Sequence, residues 1–535
     1  MTSEDDIRVG FAYANVSNPE ICTNDCWPGK YGEYKTSTAL QYDTFYRKVE
    51  AWGYPALAKR PNRSNEIVAA SRSSDVSFNN SGPMTVPKPV ELFKLHLGDL
   101  GKGEKPILPK EISYKRAITD YLKEMVLTVP AEFNNQAKAI MRQCVTDAGL
   151  ITKKLEFTTE PEAAAIYCMK FFKEQFTNSV GSLFLTVDIG GGTVDLTKRK
   201  MRDKHTLDEI TESTGGFCGG SYVDKEFIKF IEGKIGENAM KQLKQNNYGQ
   251  LQYLVQEFCK RIKLPFTGNP DDFKEYELDI EEVCPVLKQY VHGVERTILE
   301  YDEWIIAISF DSVKAMFDPV IEKIVKLIDD QISKDGELIS SIFLVGGFSE
   351  SAYLQTIIKE EFSSRVLNIS VPVQPIAAVV RGGVDYGLNF SVIRSRVLKY
   401  TYGVLVNQVF SYLTDPIDRK KADGRIYKFF RMATKGSQVN VNEEFSNFFK
   451  PSVERDTSLK FSVYITTAQN ATYVDEPGMQ LLGALTIDLP DPELGFDRLV
   501  RFSLTFGQME IRADAKNVKT GRSYATTFEL NFSDD

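Results

Sequence analysis

The 535-residue sequence predicts an α/β domain over about residues 1–390 and an all-β sandwich over about 398–535, joined by a short linker at 391–397. Three observations carry this. A glycine-rich stretch, Asp188 to Lys200 (DIGGGTVDLTKRK), directly follows the apolar run Leu183 to Val187. Strand, turn and helix signals alternate before residue 390, the mark of an α/β sheet whose ligands gather at strand ends. Beyond that point apolar residues fall at every second position, the period of half-buried strands.

In chain order, Met125 to Val129 predicts a strand running into Pro130. Asn134 then caps a helix with Ala137, Ile140, Met141, Cys144, Val145 and Ala148 at helical spacing, closed by Gly149. Leu155 to Phe157 predicts a second strand leading through Thr159, Glu160 and Pro161 into an alanine-rich helix over 162–172, with proline suited to the first turn. Ile342 to Val345 is a third strand, followed by Gly346 and Gly347 and a helix over about 349–362. In the tail, Leu459 to Ile465, Val500 to Phe506, Met509 to Ala513 and Phe528 to Phe532 alternate, with turns at Gly507-Gln508 and Lys519-Thr520-Gly521. Residues 63–89 form a long polar loop, and Pro265 to Pro285 an acidic connection.

With 42% hydrophobic and 26% charged residues this is an ordinary globular composition, long enough for three or four units. A net charge of −8 opposes general nucleic-acid binding, and the basic run from Arg419, Lys420 and Lys421 to Arg431 is read as a solvated loop. The acidic start MTSEDDIRVG has no signal-like character and no stretch is apolar enough to span a membrane, so a cytoplasmic protein is expected. Seven scattered cysteines fit reduced thiols, and Cys22 with Cys26 alone does not make a zinc site.

Three consecutive glycines let the backbone approach an anion closely with its N–H groups aimed at phosphate oxygens. Asp188 and Asp195 flank them, and carboxylates beside polyphosphate require a cation such as Mg²⁺ between. The same residues also fit a plain glycine-rich hairpin.

Five motifs in order resemble the 70-kDa heat-shock chaperone family of the actin-like ATPase superfamily. Val129 to Asn134 is similar to its VPAYFN segment, Thr159 to Ala165 to NEPTAAA, and Asp188 to Asp195 to its second phosphate loop. Gly215-Gly216 and Gly219-Gly220 with Asp224 resemble its later glycine pair, and Leu344 to Gly347 its adenosine motif. The segment Phe506 to Gly521 is similar to its peptide-binding β-domain. The resemblance implies a two-lobed, ribonuclease-H-like nucleotide domain and a β-sandwich that captures extended polypeptide, with ATP and Mg²⁺ as ligands; because the sequence stops soon after the last strand, a lidless form is expected. It implies that Gly190, Gly191, Gly192 and Thr193 hold the phosphates and that Gly219, Gly220, Gly346 and Gly347 complete the nucleotide site. Asp188 and Glu160 would sit near hydrated Mg²⁺, with Asp195 orienting water or K⁺. Glu257, Lys260 and Arg261 resemble its E-x-x-K-R segment for ribose and adenine, and otherwise read as a pair on a helix surface. Lys94 stands in the order of its catalytic lysine, and otherwise as a solvated charge. Co-chaperones or an exchange factor are the implied partners of a monomer.

The departures weaken the expected catalysis. Met1 to Val9 holds no D-x-G-T-T loop before Gly10, so either the start of the chain is lost or misassigned or that loop has degenerated; position 350 is Glu where the family has an adenine-stacking arginine, and the linker carries Arg394 and Arg396 in place of an apolar run. Arginines in a linker are expected to resist burial, which predicts weak coupling between the two domains. Two alternatives remain: an interaction protein that binds nucleotide without turning it over, and a sugar-kinase-type enzyme of the same superfamily, which the β tail disfavours.

Overall fold

The computed structural model describes residues 8–9, 12–15, 18–27, 30–57, 89–97, 105, 108–122, 135–149, 158–172, 180–203, 205–334, 336–506 and 511–527. Its centre is a sheet of eight strands. The path runs Asn368–Ser370, Ser341–Val345, Leu183–Ile189, Val194–Met201, Leu207–Glu209, Ile393–Val397, Gln438–Asn440, and Thr214–Gly216 pairs beside Val194–Met201. Leu183–Ile189 is buried along its whole length because helices cover both faces of the sheet. On one face Leu185, Val187 and Ile189 join a core with Phe227, Phe258, Phe317 and Ile324. On the other, Phe184 and Phe343 meet Phe172 and the alanines of the helix Glu160–Phe171.

That helix begins where the sequence signals it should. Thr159 caps it, accepting from Glu162 N at 3.3 Å, and Pro161 takes a first-turn position where its missing N–H costs nothing. Small residues then allow a close crossing. A Cβ added at Gly382, on the helix Ala378–Leu388, would overlap the carbonyl of Ala163, so these two helices touch backbone to backbone.

A smaller unit precedes this one. Val49–Trp52, Ala39–Tyr42 and Val90–Glu91 form a three-stranded sheet under the helices Tyr114–Leu122 and Asn135–Asp147, with Leu40, Val90, Ile118 and Met141 in its core. Gly149 ends the second helix with φ 81°, as its capping role requires. The strands expected at 125–129 and 155–157, the loop 63–89 up to residue 88, and Phe528, Leu530 and Phe532 lie outside the described residues.

The tail is a sandwich of two four-stranded sheets. One runs Arg425–Ala433, Thr401–Val409, Ser458–Thr466, Gln480–Asp488; the other runs Glu443–Phe449, Val500–Phe506, Arg512–Asn517, Ser523–Thr527. Alternation puts Phe461 and Phe502 on the facing sides, stacked at 4.4 Å between centroids, and Tyr402 meets Phe506 at 4.9 Å.

Three expectations are corrected. Pro265 to Pro285 is more than a connection, since Tyr276–Asp279 is a strand and Phe266, Leu278 and Ile280 are buried. The basic run is only partly loop, since Arg425–Ala433 is a strand whose inward positions Ile426 and Phe429 are buried. The linker is a strand of the central sheet, paired on both sides, rather than a free connection.

The helix crossing generates a prediction. Gly382→Ala should destabilise the protein by about 3 kcal/mol, the upper range for overpacking. Gly387→Ala, on the same helix with open space around it, should be neutral or slightly stabilising. Denaturant midpoints of the two variants against wild type measure both.

Candidate functional site

Leu183–Ile189 and Val194–Met201 form a hairpin whose turn is Gly190 to Thr193, closed by Gly190 N donating to Thr193 O at 2.9 Å. The plain-hairpin description is thus correct, and it also assembles a site. Antiparallel register sets Asp188 directly opposite Asp195, both buried, so two carboxylates converge at the base of the glycine turn. Two carboxylates at one end of a ladder favour a bound cation over mutual repulsion.

The second glycine pair packs onto this turn. Gly220 N donates to Gly190 O at 3.0 Å and Ser221 N donates to Gly191 O at 2.8 Å, so the start of the helix Ser221–Ile235 is held against the loop. A Cβ on Gly219 would lie 2.5 Å from the carbonyl oxygens of both Gly190 and Gly191. The third glycine motif arrives from the neighbouring parallel strand Ser341–Val345. Gly346 takes φ 86°, and a Cβ there would run into the Asp188 carboxylate and stand 2.6 Å from Ile189 O. Gly190 to Gly192, Gly219-Gly220 and Gly346 therefore meet at one end of the sheet around Asp188. Their bare backbone and the two carboxylates suit a metal polyphosphate. Gly215 and Gly216 lie in the strand Thr214–Gly216, opposite Asp195 and Val194. Gly347 opens the short helical turn Phe348–Glu350.

Glu160 is the first residue of the helix Glu160–Phe171, which packs on both strands of the hairpin. Lys94 lies in the turn Phe93–Leu97, and its side chain is outside the described residues, as are Val129 to Asn134.

The structure separates Glu257, Lys260 and Arg261 from the buried charge of their segment. Glu257 and Arg261 pair with each other at 3.6 Å, one helical turn apart, and Lys260 is exposed. The buried lysine is Lys263, which meets Asp224 of the helix Ser221–Ile235 at 3.1 Å and approaches the Phe348 ring at 5.6 Å. Cys259 Sγ also donates to Asp224, at 3.1 Å. Lys263 thus ties the second and third glycine motifs together, a role the sequence reading missed. The cause is the π-helical turn Cys259–Lys263, with Leu264 N bonded to Cys259 O five residues back, which rotates the register inward. The only sequence signal was a lysine between two apolar residues, Ile262 and Leu264.

Contacts also close the two sides of the protein on each other. Glu91, on the small sheet, accepts from Tyr248 OH and Gln252 Nε2, both at 2.7 Å, on the helix Tyr248–Phe258. Arg381 Nε donates to Thr23 Oγ1 at 2.9 Å, and Gln374 Nε2 to Tyr34 OH at 2.6 Å.

Behind the hairpin lies a buried charge cluster. Glu162 accepts from Arg396 Nε at 2.7 Å and Nη2 at 3.0 Å, from Arg199 Nη2 at 3.3 Å, and from Thr158 Oγ1 at 3.1 Å. The expectation that the linker arginines resist burial fails for Arg396, which is 8% exposed, because Glu162 supplies a bidentate counter-charge. Arg394, its neighbour, is exposed as expected. Burial alone would raise the Glu162 pKa, but Arg396 and Arg199 outweigh it and lower it to about 2, and the same carboxylate holds the Arg396 guanidinium above its ordinary value.

A model of the Hsp70 protein family matches residues 110–387, more than half of this chain. Human heat shock 70 kDa protein 12A is 26% identical over 611 aligned positions, covering 96% of this chain and 88% of that protein. Human heat shock 70 kDa protein 12B is 26% identical over 519 positions, covering 82% and 74%. The chaperone protein DnaK of Mycoplasma mobile is 26% identical over 383 positions, covering 65% and 58%.

Glu162 makes a prediction about acid. A carboxyl whose folded pKa is depressed contributes stability above its unfolded value, and that contribution is lost as pH falls through the folded one. Stability should therefore drop between about pH 4.5 and pH 2 by on the order of 3 kcal/mol through this group. Glu162→Gln should be less stable at neutral pH and should lack that share of the acid dependence, as read from denaturation curves across the window.

Proposed function

This chain belongs to the Hsp70 protein family, and from that premise we propose that it binds Mg²⁺–ATP at its three converging glycine turns and holds extended polypeptide in its β-sandwich. Family membership makes it a nucleotide-binding, ATPase-like protein with actin-like lobes and a β-sandwich domain. The observation that best supports the finer reading is the meeting of Gly190 to Gly192, Gly219-Gly220 and Gly346 around Asp188.

In this reading Gly191, Gly192 and Thr193 present backbone N–H groups and one hydroxyl to the β- and γ-phosphates, while Gly190, whose N–H closes the turn on Thr193 O, shapes the loop that holds them. Asp188, with Glu160 through water, holds Mg²⁺, which supplies charge neutralisation at the transferring phosphoryl group. Asp195, facing Asp188 across the hairpin, is suited to orient a water. Gly346, where a Cβ would run into Asp188 and Ile189 O, lets the segment with Gly347 lie against the phosphate turn and set the adenosine side beside it. Lys263 braces that side through Asp224, and Glu257, Lys260 and Arg261 serve the ribose and adenine less directly than their order in the sequence implies. Lys94 would stabilise charge at the phosphates. The two sheets of the sandwich offer main-chain hydrogen bonds and apolar positions to a polypeptide.

Turnover is the slower part of the proposal. Glu350 stands where the family carries an adenine-stacking arginine, which removes a cation from the adenine side. Loss of a single donor at a developing charge costs ~10²–10³ in rate, whereas ground-state binding draws on all three glycine turns. The second reading, a nucleotide-binding interaction protein without turnover, rests on the same residues.

Calorimetry tests binding. Wild type should bind Mg²⁺–ATP, and Gly191→Val should lose at least tenfold in affinity while keeping its fold; unchanged affinity would overturn the site. Single-turnover phosphate release tests catalysis. It should run ~10²-fold or more below that of the Mycoplasma mobile DnaK measured alongside. Equal rates, abolished by Asp188→Asn, would overturn slow turnover and leave the binding site standing.

A further inference from the structure

The helix Gly293–Tyr301 turns most of its apolar residues outward. Val294, Ile298 and Tyr301, spaced so that they share one face, are 71%, 54% and 88% exposed. The opposite face buries only Leu299, and Glu295 and Arg296 are half-buried beside it. A surface helix ordinarily lays its apolar stripe on the core, and an apolar patch left outside, of on the order of a few hundred Å², marks an interaction surface.

The two ends of the helix are incomplete in opposite senses. At its start His292, exposed, makes no side-chain bond to the first-turn N–H groups, which carry the positive end of the helix dipole. At its end there is no basic residue in the last turn, and Asp302 and Glu303 follow, exposed and in no ion pair among the described residues. Carboxylates at that end face the negative pole, where they are unfavourable. Arg296, the one cation of the helix, is taken by Glu300 at 2.8 Å and by the Lys288 carbonyl at 2.8 Å. The acidic turn is also held in shape. Glu303 and Trp304 take φ 52° and 60°, and Trp304 is buried with Lys288 and Arg296 over its ring at 5.4 and 5.9 Å. A surface fixed in this way loses little freedom when it is covered.

The occupant that supplies both missing charges at the right spacing is the same helix reversed. We propose that Gly293–Tyr301 is a contact between two copies of this chain, packed antiparallel about a two-fold axis beside Ile298. Such an axis sets Ile298 on its own copy and Val294 towards Tyr301 of the second copy. It brings Asp302 and Glu303 to His292 and the uncapped helix start of the other chain, an isologous contact in which each helix completes the other. Two faces of this size fall below the ~1,200 Å² of a stable interface, so the dimer is weak and reversible, half-formed in the range of ~10–100 µM. The contact does not depend on nucleotide.

Sedimentation velocity of the full chain without nucleotide, from about 1 to about 200 µM, tests it. Wild type should pass from monomer towards dimer across that range. Ile298→Asp should weaken association tenfold or more, as should Asp302→Lys combined with Glu303→Lys, while Lys234→Gln, exposed on the neighbouring helix Ser221–Ile235, should leave it unchanged. Ile298→Cys, lying beside the axis, should form a disulfide-linked dimer with diamide as oxidant under conditions where wild type does not. A wild type that stays monomeric throughout, as it would if a different protein covered this face, overturns the proposal. So does a dimer of undiminished strength in Ile298→Asp, or an Ile298→Cys chain that fails to cross-link. If Ile298→Asp does not fold, the wild-type series and Tyr301→Ser, expected to weaken the dimer tenfold, decide.

Discussion

A buried carboxylate, that of Glu162, is the constraint on which the arrangement of this molecule rests. It sits in the first turn of a capped helix, and its two oxygens are shared among Thr158, Arg199 and Arg396. Each partner belongs to a different element. Thr158 precedes the helix, Arg199 lies on the second strand of the glycine hairpin, and Arg396 lies on the strand leading to the sandwich. A charge so placed is tolerable only with all its partners present, so it fixes the helix, the hairpin and the linker strand relative to one another. An apolar linker would have bound by area and slid with little penalty; a bidentate arginine binds at one register.

The glycine turns impose a second constraint of a different kind, steric rather than electrostatic. Gly219 meets the carbonyls of Gly190 and Gly191, Gly346 meets Asp188, and Gly382 meets Ala163, each at distances that no Cβ would permit. Three of these contacts bring the glycine turns together, and the last seats the alanine-rich helix that begins with Glu160. The site and its scaffold thus depend on the same absence of side chains. Lys263 and Asp224 add a buried pair beneath the loops, which links the helix after the second glycine pair to Phe348 after the third.

Communication between halves of the molecule follows from these contacts. Glu91 joins the small sheet to the helix Tyr248–Phe258, which continues into the π turn that carries Lys263. Opening of the small unit would have to break that carboxylate's bonds to Tyr248 and Gln252. The sandwich, by contrast, is attached through the central sheet itself. Its aromatic core, with Phe461 on Phe502 and Phe449 edge-on beside them, is separate from the helical cores, and among the described residues the linker strand, Gln438–Asn440 and the Lys435–Glu212 pair at 3.9 Å connect it to the α/β part.

Local rules sufficed for much of this. Alternation marked Ser458–Thr466 and Val500–Phe506 of the sandwich but not its strands Thr401–Val409, Arg425–Ala433, Glu443–Phe449 and Gln480–Asp488, Pro161 marked the start of the alanine-rich helix, and consecutive glycines after an apolar run marked the hairpin turn, because turns and periodicity are properties of neighbouring residues. The order of five motifs was enough to place the chain in its family. The partners of buried charges were not legible. Arg396 read as a solvated linker charge because Glu162, 234 residues earlier, gives no local sign of meeting it. Lys263 was passed over for Lys260 because a π turn shifts the inward face by a residue that regular helical spacing does not count. Desolvation of a charge is decided by the whole fold, through contacts distant in sequence, and so it was the tertiary structure that turned a basic linker into the buried strand holding the two parts together.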